Sequence, residues 1–192
     1  MYFSSQSHTR RKNRQGWCNR SLKPPGGKTI LPGMPETDKL LIFVCTGNTC
    51  RSPMAEGLLK HLLPKDCGWD VMSAGVCAAD GWPVSSHAVQ ALREKGIDIS
   101  KLTSTTLTPY LIEQADLLVT MTEGHRHAVL AAVPESKGKV FLLKSFGIAQ
   151  CAADIADPVG GSLDDYRRIR DEIDAALPDL ILYMMEHKGT EK

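Results

Sequence analysis

The sequence predicts one α/β domain in which a four-stranded, mostly parallel sheet lies between layers of helices, as a three-layer sandwich. Short apolar runs alternate with amphipathic stretches, and neither an internal repeat nor a long linker interrupts them. The chain has 192 residues and a 42% hydrophobic composition, which is enough for one core. The predicted strands cover residues 40–44, 70–74, 116–121 and 140–143, and each is short and apolar enough for a buried parallel strand.

Amphipathic segments with helix-start and helix-end signals fill the spaces between these strands. Thr122 is a typical N-cap residue, Gly96 is typical of a helix end, and proline stands in the first turn of two segments. The last segment places its apolar residues on one face, and Pro178 is expected to bend or break it. The predicted helices cover residues 53–63, 85–95, 109–115, 123–133 and 162–187.

The two chain ends differ in composition from the domain, which we place at residues 39–187. Residues 1–38 are rich in Ser, Arg, Lys, Gly and Pro without hydrophobic periodicity, which predicts a disordered extension, and residues 188–192 form a short tail. Seven basic residues precede the first acid, Glu36. Such segments are usually solvated, so we expect no nucleic-acid or membrane partner. Met34 is an alternative start of translation.

Hydropathy and cysteine content indicate the compartment. No run approaches the roughly 18 apolar residues of a membrane span, and the N-terminal region lacks the apolar centre of a secretory signal peptide. The six cysteines of a chain this large, without such a signal, are expected to be reduced thiols. We therefore expect a cytoplasmic protein.

The strongest functional signal is the segment 45–53, CTGNTCRSP, which directly follows the first predicted strand and directly precedes a helix. A turn in this position gathers backbone N–H groups at a helix N-terminus, where an anion such as phosphate is favoured. Gly47 allows close backbone approach, and Asn48 tolerates the left-handed conformation that such a loop requires. The segment therefore predicts a phosphate-binding loop rather than an incidental turn.

Three side chains of this loop indicate the chemistry. Cys45 lies at the base of the loop, where the N–H dipoles and the Arg51 guanidinium favour a thiolate, which is a competent nucleophile towards phosphorus. The planar guanidinium of Arg51 can donate hydrogen bonds to two phosphate oxygens at once. Ser52 is placed to hydrogen-bond the sulfur and to assist its departure when the intermediate breaks down.

A second signal is Asp157, which is followed by Pro-Val-Gly-Gly in the loop before the last helix. That loop is expected at the carboxyl edge of the sheet, where parallel α/β sheets bind ligands. Asp157 is therefore predicted to protonate the leaving group as an acid and then to activate water as a carboxylate. By itself the Asp-Pro-x-Gly-Gly pattern is more often a simple turn, and the prediction depends on its pairing with the cysteine loop.

The segment 45–56, CTGNTCRSPMAE, together with Ser73-Ala74-Gly75 and Asp157-Pro158, resembles the low-molecular-weight protein-tyrosine phosphatase family over residues 39–187. The resemblance implies a four-stranded parallel sheet and the roles given above to the cysteine, arginine, serine and aspartate. It also implies that Asn48 and Ser73 hold the loop in shape. The implied phosphate-binding residues are Thr46, Gly47, Asn48, Thr49, Cys50, Arg51 and Ser52.

Within this family the chain is similar to the bacterial protein-arginine phosphatases. The similarity rests on Thr46, where tyrosine-directed members have a larger aliphatic residue, and on Val159, where they have aromatic residues after Asp-Pro. A guanidinium gains from a hydroxyl at Thr46 and a carboxylate at Asp157, whereas a phenyl ring gains from aromatic walls. Thr46 and Val159 are thus the predicted specificity residues, although valine offers less stacking surface than an arginine phosphatase would have with phenylalanine.

Several alternatives remain open from the sequence. The first is a phosphotyrosine phosphatase of the same family; an arsenate reductase and a non-catalytic phosphate-binding module are less favoured. Cys50 is either a redox partner that captures oxidised Cys45 as a disulfide or a small loop-filling residue. We expect no metal or organic cofactor, phosphorylated proteins as substrates, and a monomer.

Overall fold

The computed structural model describes residues 39–147 and 153–187. The predicted N-terminal extension and C-terminal tail lie outside the described residues. A sheet of four parallel strands forms the centre, in the spatial order β2-β1-β3-β4, which confirms the predicted fold class. Each strand agrees with its predicted position to within one residue at either end. The strands are β1 (Lys39–Cys45), β2 (Trp69–Gly75), β3 (Leu117–Thr120) and β4 (Val140–Leu142).

Within the described ranges, five α-helices connect and follow these strands. The first begins two residues before its predicted start, so the arginine and serine of the cysteine loop belong to its first turn. Two short 3₁₀ helices, Pro134–Lys139 and Leu143–Ser145, lie on either side of β4. The α-helices are α1 (Arg51–Leu62), α2 (Ser86–Arg93), α3 (Pro109–Gln114), α4 (Glu123–Ala132) and α5 (Leu163–Glu186).

Alternate residues of β1 supply the two halves of the core, because successive side chains of a strand point to opposite faces of the sheet. Leu41 and Phe43 pack into a cluster with apolar residues of α1, α2 and α5. Leu40, Ile42 and Val44 pack on the other face with apolar residues of α3 and α4. β1 is therefore buried on both faces, as the continuous apolar run of a central parallel strand predicts.

Helix α5 contains one outcome that contradicts the sequence analysis. Pro178 was expected to bend or break this helix, and of these two outcomes the break does not occur, because the helix runs without interruption from Leu163 to Glu186. The prediction of a break was wrong, because the buried apolar residues on both sides of the proline, Leu177 and Leu180, are fully enclosed in the core. Their burial outweighs the single backbone hydrogen bond that proline removes.

The carboxyl ends of the strands meet at one edge of the sheet, and the loops that follow them form the candidate site. Cys45 is the last residue of β1 and pairs with Gly75, the last residue of β2. A side chain at Gly75 would collide with the backbone of the cysteine loop, since a Cβ there lies 2.4 Å from the Thr46 carbonyl oxygen. This glycine lets the loop rest directly on the end of β2. Among the described residues, no helix is long and apolar enough to cross a membrane.

Candidate active site

Cys45 lies buried at the base of the predicted loop and receives two hydrogen bonds at its sulfur. The Asn48 backbone N–H lies 3.3 Å from Sγ, and the Ser52 hydroxyl oxygen lies 2.9 Å away. Apart from Asn48, the residues from Gly47 to Ser52 donate no backbone hydrogen bond to another described residue. A loop with unpaired N–H groups at the start of a helix is suited to bind an anion above the thiol.

The Asn48 side chain connects the loop to three neighbouring residues by hydrogen bonds. Its φ angle of 53° is in the left-handed region, and its side chain is fully buried. The side-chain oxygen Oδ1 accepts a hydrogen bond from the Thr105 backbone N–H at 2.7 Å, and this contact fixes the orientation of the side-chain amide. Its amide group then donates to Ser52 at 2.9 Å and to Ser73 at 2.8 Å. Because the Ser52 oxygen accepts from Asn48, its own proton is available to donate to the Cys45 sulfur.

The hydrogen-bond chain continues from Asn48 to an acid that the sequence analysis gave no role. Ser73 donates to Glu56 Oε2 at 2.7 Å, and Lys60 lies 2.7 Å from the other oxygen of this carboxylate. Glu56 is only 5% exposed. It stands in the quoted segment 45–56, but only the fold shows that its side chain turns back to the end of β2.

Arg51 and Asp157, 106 residues apart in the chain, meet at the mouth of the loop. Arg51 Nη2 lies 2.5 Å from Asp157 Oδ2, and Nη1 donates to the Ile155 carbonyl oxygen at 3.1 Å. The Asp157 loop is itself tied to the end of β3, because the Ile155 N–H donates to the Met121 carbonyl oxygen. Arg51 is buried and its Nε has no partner among the described residues, whereas the Asp157 side chain is 46% exposed. The guanidinium thus retains a free donor beside an accessible carboxyl group.

Thr46 follows the cysteine directly and joins it to a histidine that the sequence analysis did not place in the site. The Thr46 hydroxyl accepts from Arg51 Nη2 at 3.4 Å and lies 2.8 Å from His125 Nε2. The other ring nitrogen, Nδ1, lies 2.9 Å from the hydroxyl of Thr122, the N-cap residue of α4. His125 is therefore held at both nitrogens and connects the start of α4 to the cysteine loop.

Burial keeps the His125 imidazole neutral. Desolvation is the largest cause, and the nearby Arg51 guanidinium adds to it, so that the pKa of His125 falls to about 4. Asp157 and Asp154 act in the opposite direction but do not compensate. At neutral pH this ring is a hydrogen-bonding group with one donor and one acceptor, not a cation.

Cys50, also in the loop, is buried and contacts helix α5. Its Sγ lies 3.2 Å from the Tyr166 hydroxyl, which also receives a hydrogen bond from the Ser85 hydroxyl at 3.1 Å. Burial and the contact with Cys50 raise the pKa of Tyr166 to about 12, so the phenol stays protonated. The neighbouring Thr49 is half-buried, with its hydroxyl 3.6 Å from the same sulfur.

Val159, a predicted specificity residue, stands beside Asp157. It is 67% exposed, and its N–H donates to Asp157 Oδ1 at 3.2 Å. Its side chain therefore offers apolar surface next to the carboxyl group without being fixed by the core.

His125, Glu56 and Tyr166 are the site residues that sequence reasoning missed. A signal existed for His125, since it stands in the first turn of a helix that directly follows β3 and so begins at the same edge of the sheet. No comparable signal existed for Tyr166, because only the packing of α5 against α1 and α2 brings it to the loop.

The chain also matches a known protein family. Residues 40–190 match the model of the low molecular weight phosphotyrosine protein phosphatases. The chain belongs to this family, and its fold and cysteine loop are those of a cysteine-dependent protein phosphatase.

Among curated relatives, the chain is similar to two proteins named protein-arginine-phosphatase. It is 43% identical to that of Bacillus subtilis over 141 residues, covering 73% of this chain and 93% of the relative. It is 45% identical to that of Geobacillus stearothermophilus, covering 73% and 92%. It is also 42% identical to an arsenate reductase of Halalkalibacterium halodurans, covering 70% and 89%.

A solved structure adds a chemical observation on a relative. The YwlE arginine phosphatase, as a cysteine-to-serine mutant with a phosphorylated active-site serine, superposes with a TM-score of 0.74 at 39% identity. The match covers 79% of this chain and 99% of that one. In that relative the position of the nucleophile carries a phosphoryl group.

Proposed function

We propose that this chain removes phosphate from phosphoarginine in proteins through a phosphocysteine intermediate at Cys45. The observation that carries the proposal is the meeting of three groups from distant parts of the chain. A buried thiol, the Arg51 guanidinium and the accessible Asp157 carboxyl group surround one loop of unpaired N–H groups. These groups suffice for nucleophilic attack, charge stabilisation and proton transfer.

The reaction proceeds in two steps. The Cys45 thiolate attacks phosphorus, the phosphorus–nitrogen bond breaks, and protonated Asp157 gives its proton to the departing guanidine nitrogen. The Asp157 carboxylate then takes a proton from water, which attacks the phosphocysteine and releases inorganic phosphate. The Ser52 proton, directed at the sulfur by Asn48, stabilises the thiolate as it leaves.

The choice of phosphoarginine as substrate is supported by the polar groups at the mouth of the loop. The Thr46 hydroxyl and the Asp157 carboxyl group are both hydrogen-bond acceptors beside Arg51. A substrate guanidinium carries N–H donors for them, whereas the ester oxygen of phosphotyrosine carries none. The similarity to relatives named protein-arginine-phosphatase supports the same choice.

The experiment compares phosphate release from two peptides of one sequence, one with phosphoarginine and one with phosphotyrosine. We expect the wild type to release phosphate faster from the phosphoarginine peptide and Cys45→Ser to release none from either peptide. Thr46→Ile is expected to prefer the phosphotyrosine peptide, because isoleucine removes the hydrogen-bond acceptor and adds apolar surface. A preference of the wild type for phosphotyrosine would contradict the substrate proposal and support the alternative, a phosphotyrosine phosphatase with the same mechanism. Arsenate reduction without release from either peptide would contradict the proposal as a whole.

The compartment and the assembly remain part of the proposal. We infer a cytoplasmic monomer that acts on phosphorylated proteins without a metal or organic cofactor. The accessible Asp157 carboxyl group and the exposed Val159 beside it support a substrate presented on a protein surface. Size-exclusion chromatography with light scattering tests the monomer, and a mass corresponding to a dimer would contradict it.

A further inference from the structure

His125 is a buried polar residue in contact with the cysteine loop that the proposed mechanism does not use. It is 7% exposed, and both ring nitrogens have a hydroxyl partner. One of these partners is Thr46, the proposed specificity residue. The imidazole therefore controls which way the Thr46 proton points, because a neutral ring has one nitrogen that donates and one that accepts.

Electrostatics selects one of the two neutral forms of the ring. Nε2 faces the Thr46 hydroxyl, and that hydroxyl in turn accepts from the Arg51 guanidinium. An unprotonated Nε2 points the negative end of the imidazole dipole towards this cation, whereas an Nε2–H would point its positive end there. The favoured form carries its proton on Nδ1 and donates it to Thr122, whose hydroxyl also accepts the His125 backbone N–H at 3.2 Å.

Other charges near the ring do not reverse this preference. Asp154 and Asp157 approach from the loop before α5, and Glu123 stands two residues away on α4. Asp154 accepts the Glu123 backbone N–H at 2.8 Å, and Asp157 pairs with Arg51 itself. Both carboxylates thus have hydrogen-bond partners of their own. The Arg51 guanidinium is the charged group that the Thr46 hydroxyl connects to Nε2.

When Nε2 accepts the hydrogen bond of the Thr46 hydroxyl and Arg51 Nη2 donates to that oxygen, one lone pair of the oxygen remains for a group at the mouth of the loop. A hydroxyl in this state receives hydrogen bonds but gives none to the pocket. It therefore suits a leaving group with N–H donors and gives nothing to an aryl ester oxygen.

We propose that His125 is a positioning residue that fixes the Thr46 hydroxyl as a hydrogen-bond acceptor and so favours a guanidinium over a phenol as leaving group. This inference rests on the proposed phosphoarginine phosphatase function and names the residue that sets its selectivity. His125 acts through Thr46 and does not itself contact the phosphoryl group.

The first test determines which ring nitrogen of His125 carries the proton. Long-range proton–nitrogen NMR of protein labelled at histidine nitrogen distinguishes the two neutral forms of His125 at neutral pH. His125→Gln provides the assignment, and the exposed His127 on the same helix, 72% exposed at its side chain, is an internal reference. We expect a proton on Nδ1 and an unprotonated Nε2. A proton on Nε2 overturns the proposal, because Thr46 would then be free to donate.

The second test is kinetic and uses the matched phosphoarginine and phosphotyrosine peptides. His125→Leu is expected to lower the ratio of kcat/KM for the two peptides about ten-fold, the equivalent of one hydrogen bond. His125→Gln, whose amide oxygen also accepts the Thr46 proton, is expected to retain most of the ratio. His127→Leu, the matched control on the same helix, is expected to leave the ratio unchanged.

A double-mutant comparison separates positioning from general support of the fold. In a Thr46→Val background, which lacks the hydroxyl, His125→Leu is expected to cause no further change in the ratio. An equal loss for both peptides, or a full effect of His125→Leu in that background, overturns the inference while the phosphatase proposal stands. If the wild type releases no phosphate from phosphoarginine, the proposed function fails first, and the inference fails with it.

Discussion

Removal of the Asn48 side chain is the perturbation whose cost is most directly calculated from the structure. The fully buried amide makes three hydrogen bonds, with Thr105, Ser52 and Ser73. At about 1 kcal/mol of net stability for each bond, their loss costs about 3 kcal/mol. Alanine at this position also retains a φ of 53°, where a non-glycine residue without a polar side chain costs about 1 kcal/mol more.

Two substitutions separate these contributions. Asn48→Gly loses the hydrogen bonds but adopts the left-handed conformation freely, so we expect a loss of about 3 kcal/mol in the free energy of unfolding. Asn48→Ala loses both contributions, for about 4 kcal/mol. Both variants are expected to lower kcat for any phosphorylated substrate, because the Ser52 proton is no longer directed at the Cys45 sulfur.

Urea unfolding followed by circular dichroism measures these free energies, and phosphate release measures the kinetic effect. Equal stability of the glycine and alanine variants would refute the conformational part of the reasoning. A loss below about 1 kcal/mol in both would refute the claim that the buried amide network holds the loop.

Three further predictions concern stability. Pro178→Ala restores the helical hydrogen bond to the Asp174 carbonyl oxygen at an exposed position, so we expect a gain of about 1–3 kcal/mol in urea unfolding; a destabilised variant would contradict this reading. Tyr166→Phe removes the hydroxyl that contacts Cys50 and is expected to cost about 1 kcal/mol in the same assay, and no loss would show that this contact contributes nothing. Folding lowers the pKa of His125 from 6.5 to about 4, so between these pH values the unfolded chain binds a proton at His125 that the folded chain does not. The free energy of unfolding therefore falls as the pH falls from 6.5 towards 4. Between neutral pH and about pH 5 the loss amounts to about 2 kcal/mol, and His125→Leu is expected to lack this part of the pH dependence; an identical slope in the variant would contradict the neutral buried ring.

The fold and the cysteine loop were predictable because their signals are local. The alternation of apolar runs and amphipathic segments indicated the four strands, and a loop between a strand and a helix carried Cys45 and Arg51 in a recognisable order. Asp157 was predictable for a related reason, since a loop after a parallel strand lies at the ligand-binding edge of the sheet.

The supporting residues were not predictable because their positions depend on packing between distant segments. Tyr166 reaches Cys50 only because α5 lies across α1 and α2, and Glu56 reaches Ser73 only because α1 packs on β2. At Pro178 a local signal was present but misleading. Proline by itself disfavours a helix interior, and the burial of the neighbouring Leu177 and Leu180 overrides that preference.

The central claim is that Cys45 carries the phosphoryl group during the reaction. Its most direct test mixes the protein with a phosphoarginine peptide, quenches the reaction within a single turnover, and locates the phosphoryl group by mass spectrometry. The wild type is sampled at several times within the turnover, and Cys45→Ser is the control. We predict phosphate on Cys45 of the wild type during the turnover, and no release of inorganic phosphate from Cys45→Ser under the same conditions. A turnover that releases phosphate with no phosphorylated Cys45 at any time, or release that persists in Cys45→Ser, would contradict the account.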